Sequence, residues 1–161
     1  MQNSARTLSL IFTVLVVALA AQATNDSSAV PSSPSPCTLP GQRQFDFWVG
    51  SWEASWPAEK AGEVDHGTNE IRRVLQDCVI QENFDGGSSM HLRGISISVF
   101  DTHAGKWKQT WVDNEGGYLD FVGEFADGQM VLSRQATRPD GTKILQRMVW
   151  KNIHPNQFDW S

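Results

Sequence analysis

The alternation of apolar and polar residues with a period of two is the feature that most constrains how this chain can fold. It runs through residues 50–161, where Gly, Asp, Asn or Pro interrupts it at short intervals. This period puts successive side chains on opposite faces of a strand, whereas an amphipathic helix repeats every three or four residues. The pattern predicts about nine strands, at residues 50–56, 68–75, 79–84, 94–100, 106–113, 118–125, 129–135, 143–153 and 157–161.

The connections between these strands are too short to hold crossover helices, so consecutive strands are expected to be antiparallel. The strongest turn signals are Asp127-Gly128 and Asp140-Gly141, because Gly accepts positive φ and Asp hydrogen-bonds to its own backbone. A helical turn or two is possible at residues 41–48. A run of hairpins can form a sandwich or a closed up-and-down barrel. The all-β, antiparallel up-and-down barrel is favoured because closure removes sheet edges.

The N-terminal residues are predicted to lie outside this fold. Arg6 precedes an apolar run at residues 8–19, and the small residues that follow are typical of a cleavage site, so residues 1–23 are predicted to be a secretory signal peptide. An uncleaved interfacial segment is the alternative, since a membrane-spanning helix needs roughly 20 apolar residues. Residues 24–36 are rich in Ser and Pro and are predicted to be a disordered linker. Residues 37–161 then form one domain of a secreted or periplasmic protein.

The formal net charge of −5 argues against two classes of partner. A nucleic-acid-binding surface needs clustered Lys and Arg, and the sequence holds no such cluster. It also lacks a polybasic segment suited to an anionic membrane. We therefore expect no nucleic-acid partner and no membrane attachment after signal cleavage.

The Gly-x-Trp motif of residues 50–52 opens the first predicted strand and resembles the first-strand signature of lipocalin-like barrels. Residues 45–52, 78–84 and 109–113 together are similar to an uncharacterised family of short, mostly bacterial secreted proteins, a domain of unknown function in the lipocalin-like (calycin) superfamily. The similarity covers roughly residues 45–161. It implies a lipocalin-like barrel and brings no established activity with it.

The last predicted strand, residues 157–161, leaves two arrangements open. Relatives of this kind would add another hairpin arm, so the barrel could be truncated at its C-terminus and lack a closing strand. Its unpaired edge would then invite association. In the other arrangement, strand nine pairs directly with strand one.

The lengths of the predicted loops give the barrel an open end and a closed end. Consecutive loops of a meander alternate between the two ends, so the tight turns and the aromatic residues 45–48 share one end. We expect this end to be a plugged base and the other to be a mouth. The longer connections at the mouth are residues 57–67, 85–93, 114–117 and 136–142.

Cys37 and Cys78 are the two cysteines of the chain, and the same loop parity places both at the base. An exported protein meets oxidising conditions, so a disulfide between them is expected. The bond would close a loop of about 40 residues. The alternative is a pair of free thiols, one buried as a small apolar residue and one in a mobile tail.

Taking Trp52 as an inward residue fixes which side chains face the lumen. On strand four this assigns Ile95, Ile97 and Val99 to the inside. The inward wall is mostly aromatic and aliphatic with a few polar interruptions, which is expected of a pocket for a small apolar or aromatic ligand. A barrel of this size can also be filled by its own side chains. The predicted lining residues are Trp56, Glu82, Gln109, Trp111, Phe121, Gln146, Met148 and Trp150.

Glu82 is the most informative inward residue, because a buried carboxylate is costly unless it is paired, hydrogen-bonded or protonated. In a pocket it would accept a hydrogen bond from a ligand hydroxyl, amine or amide. It could instead lie exposed at the mouth or form a buried ion pair. The candidate partners for such a pair are Arg72, Arg73 and Arg147.

No catalytic residue, cofactor or metal ligand is predicted. A hydrolase-like site would need acid–base residues near the mouth, where Asp113, Asn114 and Glu115 lie, but a polar hairpin loop explains these residues equally well. A haem-binding barrel would need a histidine ligand, and none of the histidines has a partner at ligand spacing. They are His66, His91, His103 and His154.

A protein–protein interaction module with a filled barrel is the remaining alternative. The chain has seven tryptophans, and an interface would use some of them on the outer surface. Exposure of Trp111 or Trp160 would favour this function over ligand binding.

Overall fold

The computed structural model describes residues 36–161, which form one nine-stranded antiparallel sheet. Each strand pairs with its neighbours along the chain, and the sheet curls into a half-barrel with the apolar core on its concave face. The strands are β1 (Gly50–Pro57), β2 (Val64–Val74), β3 (Val79–Asp85), β4 (Arg93–Asp101), β5 (Lys106–Asp113), β6 (Tyr118–Ala126), β7 (Gln129–Thr137), β8 (Lys143–His154) and β9 (Gln157–Trp160).

All nine predicted strands are present, with small differences at their ends. The largest difference is in β2, which begins at Val64 rather than at residue 68. Gly67 suggests a turn in the sequence, but it lies inside β2, where a side-chain carbon would come within 2.4 Å of the Asp85 backbone oxygen. The glycine thus serves a close approach of two backbones. A four-residue helix, α1 (Gly87–Met90), joins β3 to β4 and was not predicted.

The predicted plug at the base is confirmed. Two short 3₁₀ turns, Pro40–Arg43 and Asp46–Trp48, precede β1. Phe45 lies between them and is 0% exposed. Its ring centroid is 4.9 Å from that of Trp107 and 5.1 Å from that of Trp150, both with edge-to-face geometry. Edge-to-face contact is a favoured geometry for aromatic pairs. The N-terminal segment therefore fills the lower part of the half-barrel with aromatic side chains.

The base is also tied by a disulfide and an ion pair. Cys37 and Cys78 are bonded, with their Cα atoms 5.1 Å apart, which confirms the predicted disulfide. The free-thiol alternative is therefore wrong. Arg73, near the end of β2, pairs with the Asp46 carboxylate and donates a hydrogen bond to the backbone oxygen of Asp77. These links fix the N-terminal segment to the β2–β3 turn.

The two outer strands of the sheet meet through side chains. Among the described strands, β1 pairs only with β2 and β9 pairs only with β8, so the direct pairing of strand nine with strand one is not formed. The ring of Trp52 on β1 lies 4.7 Å from the ring of Phe158 on β9. The indole N–H of Trp52 donates to the backbone oxygen of Trp48 at 2.8 Å. We call this line of contact between β1 and β9 the seam.

The predicted facing of β4 is wrong. Ser96 lies opposite Glu82 in the β3–β4 ladder. Ser98 lies opposite Gln109 in the β4–β5 ladder. Directly opposed residues in antiparallel strands share a face, so both serines point inward with their partners and are fully buried. The apolar residues between and beside them point outward and are 40% to 44% exposed: Ile95, Ile97 and Val99.

The predicted signal peptide, and the predicted linker as far as residue 35, lie outside the described residues. Within residues 36–161, no helix is long and apolar enough to span a bilayer.

Candidate functional site

A cluster of polar side chains lies on the concave face of the sheet, across four neighbouring strands. Asn69 is on β2, Glu82 on β3, Ser96 and Ser98 on β4, and Gln109 on β5. Glu82 is only 8% exposed, and both serines and Gln109 are buried. We call these five residues the polar cluster. Its position is set by strand register, because alternate residues of each strand face the same side.

The hydrogen bonds of the polar cluster run in one direction, toward Glu82. The amide nitrogen of Gln109 donates to Ser96 Oγ at 3.2 Å and to Ser98 Oγ at 3.0 Å. Ser96 in turn donates to Glu82 Oε2 at 2.6 Å. From the other side, Asn69 Nδ2 donates to Glu82 Oε1 at 2.7 Å. The carboxylate is thus the end point of two converging donor chains.

Asn69 keeps one polar atom without a partner. Its nitrogen must face Glu82, because an ionised carboxylate only accepts hydrogen bonds. Its other amide atom, Oδ1, is buried and has no hydrogen-bond partner among the described residues. Leaving a buried acceptor unpaired costs about 1–3 kcal/mol, so this atom is a place where a bound donor would gain free energy.

Burial raises the pKa of Glu82, and the hydrogen bonds from Ser96 and Asn69 oppose that increase. The arginines expected nearby lie elsewhere. Arg72 donates to Glu70, and Arg73 pairs with Asp46 at the base. No salt bridge to Glu82 is found within the described part of the chain. Glu82 is therefore a buried carboxyl group held by neutral donors.

The raised pKa of Glu82 gives a pH-dependent prediction. The folded state binds this proton more tightly than the unfolded state, so the stability contributed by protonated Glu82 is fully present below its unfolded pKa and is lost as pH rises through its folded pKa. Glu82→Gln cannot titrate. The free energy of unfolding of Glu82→Gln minus that of wild type, measured by urea titration, should therefore increase between about pH 4 and pH 8. Glu53→Gln, at an exposed outward carboxylate, is the control. A constant difference across this range would contradict the assignment.

A row of half-buried aromatic rings lies next to the polar cluster on its mouth side. It consists of Trp56 on β1, Phe84 on β3 and Trp111 on β5. The Phe84 ring centroid is 6.3 Å from that of Trp56 and 6.2 Å from that of Trp111. Phe84 lies directly opposite Asn69 in the β2–β3 ladder, so the belt and the polar cluster adjoin at this residue pair. We call these three residues the aromatic belt.

Glycines on the intervening strands let the belt rings lie against the sheet. A side-chain carbon at Gly94 on β4 would come within 2.0 Å of Trp111 Cζ2. One at Gly67 on β2 would lie 2.9 Å from Trp56 Cη2. Larger residues at these positions would push the rings into the lumen. The absence of a side chain at these glycines therefore lets Trp56 and Trp111 lie close to the sheet.

Asp113 orients the ring of Trp111. The indole N–H of Trp111 donates to Asp113 Oδ2 at 2.8 Å, and the backbone N–H of Gly117 donates to Oδ1 at 2.7 Å. These bonds lower the pKa of Asp113, with the Trp111 bond as the largest cause. The neighbouring Asn114 accepts from the backbone N–H of Arg93 through its side-chain oxygen. The side chains considered for acid–base chemistry, Asp113 and Asn114, thus form hydrogen bonds that fix the hairpin loop and the Trp111 ring at the mouth of the half-barrel.

The structure separates the predicted lining residues into three groups. Trp56, Glu82, Gln109 and Trp111 belong to the belt and the polar cluster. Met148 is half-buried and Gln146 is exposed on β8. The remaining two are core residues: Trp150, which is 1% exposed and packs against the plug, and Phe121.

Arg134 on β7 is a further polar residue of the concave face that the sequence did not single out. Its guanidinium carbon lies 5.8 Å from the ring centroid of Phe121, within cation–π range. Its Nε atom is buried and has no acceptor among the described residues. Together with Asn69, it gives the concave face two buried polar atoms that lack partners.

An open groove on the outer side of β1 and β2 contains both mouth-side histidines. His66 faces Glu53, with Nδ1 2.9 Å from Oε1, and His91 lies beyond α1. Residues 36–161 contain no group of three or more His, Cys, Asp or Glu side chains arranged to hold a metal ion. The groove is solvent-exposed, and Asn69 of the polar cluster is among its lining residues.

Comparisons with known proteins add no family to this description: no family model matches the chain, and no curated protein matches it.

Proposed function

We propose that the protein is a secreted or periplasmic lipocalin-like cup that binds a small, partly apolar molecule in front of the aromatic belt. The observation that carries this proposal is the position of the belt beside a buried carboxylate and an unpaired amide oxygen. Ligand pockets are typically lined by apolar and aromatic side chains with a few well-placed polar groups. The Cys37–Cys78 disulfide supports export, since disulfides persist mainly in oxidising compartments.

The depth of the cup limits the ligand to a small molecule. The lower lumen is occupied by the plug, where Phe45, Trp48, Trp107 and Trp150 are all buried. The belt residues and Met148 are only half-buried, so solvent reaches the upper lumen. A ligand would rest on the plug, place its apolar part against the belt and pair with polar atoms of the wall.

The test is a fluorescence titration with a panel of small aromatic and aliphatic compounds, followed by calorimetry on compounds that quench the tryptophans. Trp111→Ala should weaken binding by about tenfold or more, because burial of an aromatic side chain against a ligand contributes more than about 1.4 kcal/mol. Ile97→Thr, on the convex face, is the control and should bind with unchanged affinity. If no compound binds, or if both variants bind like wild type, the proposal is wrong.

A protein–protein interaction module is the second candidate, and one observation favours it. The outward residues Ile95 and Ile97 on β4 lie beside Val112 on β5, and Val112 lies opposite Tyr118 on β6. All four side chains are exposed, as is Trp160 at 59%. The two candidates predict opposite sensitivities: protein association through the convex face would be altered by Ile97→Thr and unaffected by Trp111→Ala, whereas ligand binding at the belt would show the reverse.

A further inference from the structure

The acceptor atoms around Glu82 define the chemical class of the ligand. We propose that the group bound at Glu82 and Asn69 is a cationic hydrogen-bond donor, an ammonium or amidinium, attached to an apolar body that lies on the aromatic belt. This inference rests on the proposed function, because it requires that a small molecule enter the concave face.

The direction of the hydrogen bonds favours a ligand donor over a ligand acceptor at this position. Both protein donors that reach the carboxylate, Asn69 Nδ2 and Ser96 Oγ, are already bonded to it. Each carboxylate oxygen can accept more than one hydrogen bond, and Asn69 Oδ1 accepts none. The atoms left for a ligand are mostly acceptors, namely the spare lone pairs of Glu82 and Asn69 Oδ1, beside two spare donors, the second N–H of Asn69 and the hydroxyl hydrogen of Ser98. An ammonium has three donors and an amidinium has four, which suits such a surface.

Charge selects a cation over a neutral donor. Glu82 is buried without an opposite charge among the described residues, and a buried carboxylate is stabilised most by a charged partner. The neighbouring belt adds to this preference, since indole rings attract cations within about 6 Å. Asp113 holds one of these indoles, that of Trp111, in place through its N–H. A ligand carboxylate would be repelled at the same position.

Arg134 provides the opposite chemistry on β7. Its buried Nε requires an acceptor, so an anionic group would bind at that strand and not at β3. A carboxylate ligand is therefore an informative comparison. Preference for it over an amine would place the recognition site at Arg134.

The experiment compares three ligands of matched length: 2-phenylethylamine, 2-phenylethanol and phenylacetate. Their affinities are measured by calorimetry near neutral pH at moderate salt, on wild type, Glu82→Gln and Glu53→Gln. We expect wild type to bind the amine at least about tenfold more tightly than the alcohol, because hydrogen bonds to charged groups are stronger. Glu82→Gln should remove this preference. Glu53→Gln makes the same change in net charge on the outer surface and should keep it.

The possible outcomes are distinguishable. If the amine and the alcohol bind wild type equally and Trp111→Ala weakens both, the charge assignment is wrong and the proposed function stands. Tighter binding of phenylacetate would also overturn the assignment. If none of the three ligands nor any compound of the wider panel binds, both proposals fail. The wild-type comparison needs no variant, so it remains decisive even if Glu82→Gln fails to fold.

Discussion

Replacing Phe45 with Ala is expected to lower the free energy of unfolding by about 3–5 kcal/mol, the range typical of a fully buried aromatic side chain. The ring is 0% exposed and contacts four other aromatic rings, so its removal leaves a cavity that rigid neighbours cannot fill. Urea-induced unfolding, followed by far-UV circular dichroism, measures the effect without relying on the tryptophans that the cavity perturbs.

Trp160→Ala is the control for this change. It removes an aromatic ring of larger size from β9, but the side chain is 59% exposed. Surface substitutions of this kind usually alter stability by less than about 0.5 kcal/mol. If Phe45→Ala were no more destabilising than Trp160→Ala, the plug would not be part of the cooperatively folded unit, and the lower lumen would be open to solvent.

Loss of the Cys37–Cys78 disulfide is expected to cost up to about 4 kcal/mol, the chain-entropy value for a loop of this length. The bond joins residues 41 positions apart in the sequence and restricts the unfolded chain. The Cys37→Ala/Cys78→Ala double variant should therefore unfold at a lower urea concentration than wild type.

Wild type reduced with a phosphine separates the effect of losing the disulfide bond from the effect of replacing the cysteine side chains. The reduced protein and the double variant should show similar losses, because both lack the same covalent link. If only the double variant is less stable, the effect comes from replacing the cysteines. Equal unfolding midpoints for oxidised and reduced wild type would show that the disulfide contributes nothing to stability.

Strand positions could be predicted from this sequence because the alternation of residues and the turn signals are local features. The turn at Asp127-Gly128, for example, needs only the positive φ values that both residues adopt there. The plug and the disulfide followed from loop parity, which depends on strand order alone. Curvature and the state of the seam could not be predicted, since they depend on how far nine strands coil together.

The candidate site was only partly predictable. Glu82, Trp56 and Trp111 were recognised because each interrupts or extends a clear inward pattern. Asn69 and Ser96 were missed, because their role comes from the pairing of strands whose residues are 13 and 14 positions from Glu82. The prediction of which β4 side chains point inward failed for the same reason. Its apolar residues suggest an inward side, but the buried carboxylate takes hydrogen bonds from the polar side of that strand.

The two edges of the half-barrel are joined at the seam by side chains and not by backbone hydrogen bonds. A closed β-barrel can widen only by breaking a row of backbone hydrogen bonds between two strands, each contributing about 0.5–1.5 kcal/mol. Here the contact of Trp52 with Phe158 joins the two edges, and an aromatic pair contributes about 0.5–1.5 kcal/mol beyond the area it buries. The circumference can therefore change while every backbone ladder of the sheet stays intact, so the half-barrel widens most readily at the seam.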